Sequence, residues 1–334
     1  MRKPGSSNAG LQPCGTFRCL VLAAALVLSS TAISLAQTVL RVGHFPNVTH
    51  AQGLIAHAFS RQRKPWFEQR LGPEVTIQWF VYNAGPSAIE AILAKSIDLT
   101  YVGPNPAINA YAKSRGEEVR VIAGAANGGS ALVVQRDSTL KLPVDFRGKR
   151  IATPQLGNTQ DVAARSWLVS GGLRITQMGG DAQVVPTSNP DQLLLFKTKQ
   201  LDGVWTVEPW VSLLESEAGG KVLVEEPDAI TTLLVARREF LETRRDIVRK
   251  FAAAHEALTQ WIIENPEGAQ QLVRDELAAE TRANISQELI ARAWKRIVLT
   301  PEVSRDAMAR LVASARAVGF LRDVPDLGRF IEKP

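Results

Sequence analysis

Five short segments carry the polar residues from which binding chemistry could be built, and each has the spacing of a loop that opens a helix. They are His44-Phe45-Pro46-Asn47-Val48-Thr49-His50-Ala51-Gln52, Asn83-Ala84-Gly85-Pro86-Ser87, Val102-Gly103-Pro104-Asn105-Pro106, Gln155-Leu156-Gly157-Asn158-Thr159-Gln160-Asp161 and Trp205-Thr206-Val207-Glu208-Pro209-Trp210. At a helix start the first backbone N–H groups lack carbonyl partners. Small polar side chains cap them, and an anion's oxygens can use the same donors together with the helix dipole. One such end contributes about 0.3–1 kcal/mol at a surface and up to ~2 kcal/mol when partly buried. Several ends facing one crevice approach the roughly 8 kcal/mol of a micromolar complex. Singly each loop reads as a cap. Together they read as an anion site.

The last loop admits two readings. Glu208, beside Trp205 and Trp210, could hold a ligand amine or cation among the indoles. It could equally cap the helix that follows, as an acid near its N-terminus. The four histidines are His44, His50, His57 and His255. His50 and His57 could share a helical face, with His44 joining them on a metal. There is no His-x-x-x-His pair, however, and both cysteines, Cys14 and Cys19, precede the folded part, so no metal centre or cofactor is expected. A Walker-type phosphate loop and a Gly-x-Ser-x-Gly elbow are both missing, which argues against a nucleotide motor and a nucleophile-elbow hydrolase.

The elements that must position these loops alternate. Strand patterns at Val39–Val42, Val75–Tyr82, Leu99–Val102, Val119–Ala123, Leu132–Val134, Arg150–Ala152, Gln183–Val185, Gly203–Val207, Val222–Val224 and Thr232–Val235 are interleaved with helical ones. The grammar is that of βαβ units and mainly parallel sheets. From Arg244 the pattern becomes helical throughout, with Ile247, Phe251, Ala254, Leu258, Trp261 and Ile262 on one face. This tail has no polar cluster and reads as packing. A weak repeat divides the alternating part. Lys95-Ser96-Ile97-Asp98 and Lys199-Gln200-Leu201-Asp202 each precede a strand and a proline, and Arg41-Val42-Gly43 echoes Arg150-Ile151-Ala152. Two lobes of one plan follow, with a ligand between them beyond the carboxyl ends of the strands.

Residues 1–36 read as a secretory signal peptide. Arg2, Lys3 and Arg18 occur without an acid, Leu20–Leu28 is apolar, and Ser34-Leu35-Ala36 supplies the small residues of a cleavage site before Gln37. The expected mature chain then has no cysteine. Its charge falls from +6 to +3 once the three basic residues are removed. No basic stripe with interleaved aromatics remains, so nucleic acid is not an expected partner.

These residues resemble the periplasmic substrate-binding proteins of the nitrate/sulfonate/taurine class of ABC importers. The marks are Leu40-Arg41-Val42-Gly43, Ala84-Gly85-Pro86, Ile97-Asp98-Leu99 with Gly103, and Asp145-Phe146-Arg147-Gly148-Lys149-Arg150-Ile151-Ala152. Gln155-Leu156-Gly157-Asn158-Thr159 and Leu201-Asp202-Gly203-Val204-Trp205 with Glu208-Pro209 complete them. The set is nearest to aliphatic-sulfonate binders. The resemblance implies a type II periplasmic-binding-protein fold, an α/β chain with two lobes and a helical tail. It implies lobe 1 at 37–128 plus 236–334 and lobe 2 at 129–235. It also implies a monomeric periplasmic receptor, not an enzyme, that delivers a sulfonate or similar anion to an ABC permease. Carried over by position, the ligand-binding residues are Pro46, Asn47, Thr49, Gly85, Pro86, Asn158 and Thr159, with Asn105, Trp205 and Glu208 lining the same crevice. Sulfonate binders often carry a Ser-rich stretch where this chain has Leu156-Gly157-Asn158-Thr159. The alternatives are a binder of a thiamine-precursor pyrimidine or other amine, and an enzyme on the same fold.

Overall fold

The computed structural model describes residues 37–177, 179–323 and 326–334. The expected signal peptide at 1–36 lies outside them. In chain order the strands are β1 (Thr38–His44), β2 (Val75–Val81), β3 (Leu99–Val102), β4 (Val119–Gly128), β5 (Ser130–Gln135), β6 (Arg150–Thr153), β7 (Ile175–Thr176), β8 (Gly179–Gly180), β9 (Gln183–Pro186), β10 (Gly203–Val207), β11 (Gly220–Glu225), β12 (Ile230–Arg237) and β13 (Ile297–Leu299). The helices are α1 (Ala51–Arg61), α2 (Glu68–Leu71), α3 (Gly85–Leu93), α4 (Pro104–Lys113), α5 (Thr159–Ser170), α6 (Asn189–Lys197), α7 (Trp210–Glu217), α8 (Arg238–Thr243), α9 (Arg245–Glu264), α10 (Pro266–Thr281), α11 (Gln287–Trp294) and α12 (Arg305–Ala317).

The strands form two main sheets on one plan. The first has the order β13-β4-β12-β3-β1-β2 and the second β11-β5-β10-β6-β9. In each, three strands run parallel: β2-β1-β3 in one and β9-β6-β10 in the other. The remaining strands pair antiparallel. The parallel halves are those expected from the alternation. The two-lobed α/β fold expected from the sequence is the one observed.

The sequence repeat is a repeat of hydrogen bonds. Arg41 N–H donates to Asp98 Oδ2 at 3.1 Å, and Arg150 N–H donates to Asp202 Oδ2 at 2.9 Å. The aspartate N–H groups return the bond to the Arg41 and Arg150 carbonyls at 2.9 and 3.0 Å. Lys95 and Lys199 both take the left-handed conformation, at φ 58° and 57°, where the preceding helix unwinds. Each aspartate therefore ties the start of one parallel strand to its neighbour. Asp98 is nearly inaccessible and also accepts from the guanidinium groups of Arg41 and Arg237, both at 2.9 Å.

The chain crosses between the sheets twice, from β4 to β5 and from β11 to β12. The second crossing lies between Glu225 and Ile230, ahead of the expected boundary at 235/236. All of β12 is paired into the first sheet between β3 and β4, so residues 230–235 belong there. The first crossing is the pair Gly128-Gly129, at φ 72° and 70°. A Cβ on Gly128 would stand 2.4 Å from the Arg296 carbonyl oxygen, and one on Gly129 would stand 2.7 Å from Ile297 Cγ2. Crowding and handedness both require glycine here.

The tail is not helical throughout, contrary to expectation. β13 adds an edge to the first sheet through Ile297–Leu299 against Ala126–Gly128. Three residues between helices are too few to show a strand period. The rest of the tail packs as expected. Ile247, Phe251, Ala254, Leu258 and Ile262 are buried, and Phe251 stacks on Phe67 with centroids 4.1 Å apart. His255 joins α9 to the sheet: its Nε2–H donates to the Gly124 carbonyl at 2.8 Å, and its Nδ1 accepts from Tyr101 Oη at 3.0 Å. Both bonds suit one neutral tautomer, and burial pushes the ring's pKa down from 6.5 to about 4. Among the described residues no helix is long and apolar enough to cross a membrane.

Two measurements follow from this packing. Gly128→Ala should cost more than the ~1–3 kcal/mol of left-handed strain alone. Gly148→Ala, at φ 74° with nothing within 4 Å of the added carbon, should cost only that strain. Urea unfolding of the two variants compares them, and equal losses would remove the steric argument. For His255, the unfolded ring takes its proton near pH 6.5 while the folded ring resists until about 4. The stability involved is intact above pH 6.5 and is lost as pH falls towards 4, about 3 kcal/mol in all. His255→Gln should flatten that part of the stability–pH curve.

Candidate functional site

The loops singled out by sequence lie at the carboxyl ends of the parallel strands, where the two sheets face each other. β1 ends at His44, and the chain turns through Phe45-Pro46-Asn47 into a one-turn 3-10 helix, Val48–His50. Asn47 Oδ1 accepts from the Trp210 indole at 3.0 Å, which leaves the Asn47 amide NH2 as the free half of the group. His50 is buried, and its Nδ1 accepts from the Phe45 N–H at 3.4 Å. Burial holds its pKa well below the ordinary value, so it is neutral near pH 7.

Gly85 and Pro86 open α3, and Gly103 caps α4. A Cβ on Gly85 would lie 2.4 Å from Pro106 Cγ, so glycine is what lets the two helix starts converge. From the other sheet, β6 leads to Asn158, whose Oδ1 accepts from Asp161 N–H at 2.8 Å and caps α5. That cap leaves the N–H groups of Thr159 and Gln160, in the first helical turn, without intrahelical partners.

An acid at this helix start would repel an anion unless it were neutralised. Asp161 is fully buried and pairs with Arg165 Nε at 3.0 Å. It also accepts from Thr153 Oγ1 at 3.0 Å and from Gly157 N–H at 2.9 Å. The pair fixes the loop's shape and cancels the charge. Arg165 runs on to the carbonyls of Thr176 and Val184, which anchors the helix to its own sheet.

Asn47, Thr49, Gly85, Asn158 and Thr159 line one narrow cavity of about 20 Å³, together with His50, Asn83, Gln160 and Thr231. That space suits one water-sized group. Among the described residues no Lys, Arg, Asp or Glu lines it. Next to it lies a cavity of about 230 Å³, which shares Thr159 and Thr231 and contains Asn105 and Trp205. Asn105 is buried, and neither its Oδ1 nor its Nδ2 has a partner among the described residues. Contacts that bridge the faces include Trp210 to Asn47, Val48 N–H to the Glu208 carbonyl at 2.9 Å, Ser87 Oγ to Gln155 Oε1 at 3.2 Å, and Asn105 N–H to Thr159 Oγ1 at 3.4 Å.

Three expected residues fall elsewhere. Pro46 lines an apolar recess with Trp210, Leu213 and Ile285, and Pro86 lines another with Ile89 and Phe320. Glu208 is wholly buried and accepts from Ser212 N–H and Oγ at 3.1 and 3.0 Å, which makes it the cap of α7. It also pairs with Arg296 at 2.9 Å. Of its two readings the structure bears out the cap.

The acid beside an indole is Glu226, which sequence reasoning missed. Its Oε2 accepts from Ser130 Oγ at 3.0 Å and from Trp205 Nε1 at 3.3 Å, and it lines the larger cavity. Burial raises its pKa, and these two bonds oppose the rise. Ser130 and Glu226 lie on the two crossings, so only the position of the second crossing could have pointed to them.

The NMT1-like family profile matches residues 34–275. A taurine-binding periplasmic protein of Escherichia coli is 25% identical over 201 residues, 58% of this chain and 59% of the relative. The chain thus spans about three-fifths of that relative's length. The alkanesulfonate-binding protein of Xanthomonas axonopodis pv. citri, solved with MOPS bound, superposes with a TM-score of 0.66 at 21% identity, covering 84% of this chain and 92% of the other. The periplasmic aliphatic sulphonate-binding protein of Escherichia coli gives 0.66 at 21%, covering 87% and 97%. By name, each is a binding protein.

Arg165→Ala should destabilise the protein by about 3–5 kcal/mol, because it leaves Asp161 buried without its counter-charge. Arg165→Ala with Asp161→Asn should recover part of that loss. Denaturant unfolding measures both, and a loss below 1 kcal/mol for the single change would remove the pair from its organising role.

Proposed function

The chain belongs to the NMT1-like family, and from that premise we propose that it is an exported solute-binding receptor that captures a small organic anion, an aliphatic sulfonate, between two lobes for delivery to an ABC permease. The first lobe on this reading is 37–128 plus the chain from β12 onward, and the second is the segment between the crossings. The observation that carries the proposal is the convergence of Asn47 and Thr49 from one sheet with Asn158 and Thr159 from the other on a cavity that no charged side chain lines among the described residues. A sulfonate spreads its charge over three oxygens, which matches several neutral donors better than one cation. Its apolar chain would extend past Thr159 towards Trp167 and Trp205 in the larger cavity.

The inner cavity is smaller than a sulfonate, so entry requires the faces to part and the bridging contacts to break. Binding then trades those contacts for contacts with the ligand, which is how a ligand shifts an open–closed equilibrium. In this reading the protein is a receptor and not an enzyme.

Glu226 favours a second ligand class, one that carries an amine or another donor at the end opposite the anion. An aminosulfonate such as taurine would satisfy both ends. An aminopyrimidine would use Glu226 alone.

The test is calorimetry and thermal unfolding with ethanesulfonate, taurine, nitrate and an aminopyrimidine separately. A ligand at a hundred times its Kd stabilises by about 2.7 kcal/mol. Asn158→Ala with Thr159→Ala should weaken ethanesulfonate at least about tenfold, a loss of ~1.4 kcal/mol. Unchanged affinity would end the anion-site reading. Glu226→Gln should weaken taurine while sparing ethanesulfonate, and equal effects on the two would remove the amine contact.

A further inference from the structure

Away from the cleft, His44 at the end of β1, His57 on α1 and Glu280 on α10 bring three side-chain atoms together. His44 Nε2 lies 3.2 Å from His57 Nδ1 and 3.1 Å from Glu280 Oε1, and His57 Nδ1 lies 3.0 Å from the same oxygen. Glu276, one turn earlier on α10, adds its Oε1 at 2.9 Å from His57 Nδ1. Trp79 closes one side, with ring centroids 5.6 Å from His44 and 5.7 Å from His57. The side chains of His44 and Glu280 are 0% and 2% exposed, and His57, at 14%, forms the outer edge.

While Glu280 is ionised, no placement of the ring protons satisfies this triangle. If both ring nitrogens carry protons towards Glu280, the edge between them sets two donors 3.2 Å apart. If only one carries a proton, the other nitrogen sets its lone pair against the carboxylate. If the proton sits on Glu280, the two nitrogens oppose each other's lone pairs. Each of these arrangements leaves one edge repulsive, whereas a cation between the three atoms makes all of them attractive. The spacing fits as well. Ligands at the ~2.0–2.1 Å of zinc–nitrogen and zinc–oxygen bonds stand about 3.3 Å apart around a tetrahedral ion. A second observation points the same way: Glu280 Oε2 is buried without a partner among the described residues. Arg61 Nε binds Glu276 Oε1 at 2.8 Å, so that carboxylate is balanced while Glu280 is free to meet a cation.

We propose that His44, His57 and Glu280 form a binding site for a divalent transition-metal ion, Zn2+ foremost, with water as the fourth ligand. Two imidazoles and a carboxylate are a zinc donor set, while calcium and magnesium take oxygen ligands. His44 Nδ1 has no acceptor among the described residues to orient the ring. Such missing support weakens a metal site by about 10–100-fold. The proposed site runs against the expectation of no metal centre. It takes two of the three histidines considered there, while His50 turns to the cleft.

The experiment titrates the chelator-treated protein with Co2+ as an optical probe and with Zn2+ by calorimetry. The expected result is one equivalent of Co2+ with the visible bands of tetrahedral coordination, displaced by Zn2+. His57→Gln and Glu280→Gln should each lower Zn2+ affinity at least about tenfold, with circular dichroism reporting that they fold. Asn158→Ala with Thr159→Ala should keep the bands, separating this site from the cleft. Octahedral bands, no Zn2+ heat in the unsubstituted protein, or undiminished binding in both folded variants would overturn the proposal.

Discussion

Two carboxylates at strand starts set the frame on which the rest of the structure is built. Asp98 and Asp202 each grip the backbone of the neighbouring parallel strand, and each takes the same pair of main-chain bonds. A parallel pair has no hairpin to fix its register, so the register must come from elsewhere. Here an aspartate just ahead of β3 or β10 fixes it. With the strand starts held, the opposite ends of β1, β3, β6 and β10 reach a common level, and the loops that follow them meet.

Charge is distributed along the strands accordingly. The charged groups of each repeat gather at the end of its sheet where the parallel strands start, Asp98 paired with Arg41 and Arg237 and Asp202 with Lys149. The carboxyl ends present amides, hydroxyls and helix N-termini, and the one carboxylate buried in the α5 loop is matched by Arg165. A crevice built from neutral dipoles binds an anion without attracting every acid in solution. It also stays nearly constant in charge around neutral pH, because burial keeps His50 unprotonated.

Much of this was legible in the sequence. The alternation gave the strand order its parallel halves, and the tetrads around Asp98 and Asp202 marked the repeat. Asn47, Thr49, Gly85, Asn158 and Thr159 were legible because each follows a strand and opens a helix, a local pattern. What escaped was non-local. β13 is too short to show a period and exists only because β4 offers it an edge. Glu208 and Glu226 could not be told apart as neighbours of Trp205, since sequence proximity favoured Glu208 while the hinge geometry selects Glu226. His44, His57 and Glu280 span more than two hundred residues, and no spacing rule joins a strand end to a helix so far along the chain. The expected lobe boundary came late because β12 reads the same whichever sheet it joins.

That strand has a consequence for how the molecule comes to exist. β12 sits between β3 and β4 in the middle of the first sheet, yet its residues follow the whole of the second sheet in the chain. During synthesis β3 and β4 therefore wait for their shared partner until more than two hundred residues have emerged. Contacts so distant in sequence make for slow folding and exposed strand edges. On the proposed reading, in which the chain is exported before it folds, such delay is an asset, because the half made first cannot lock shut until the half made last arrives.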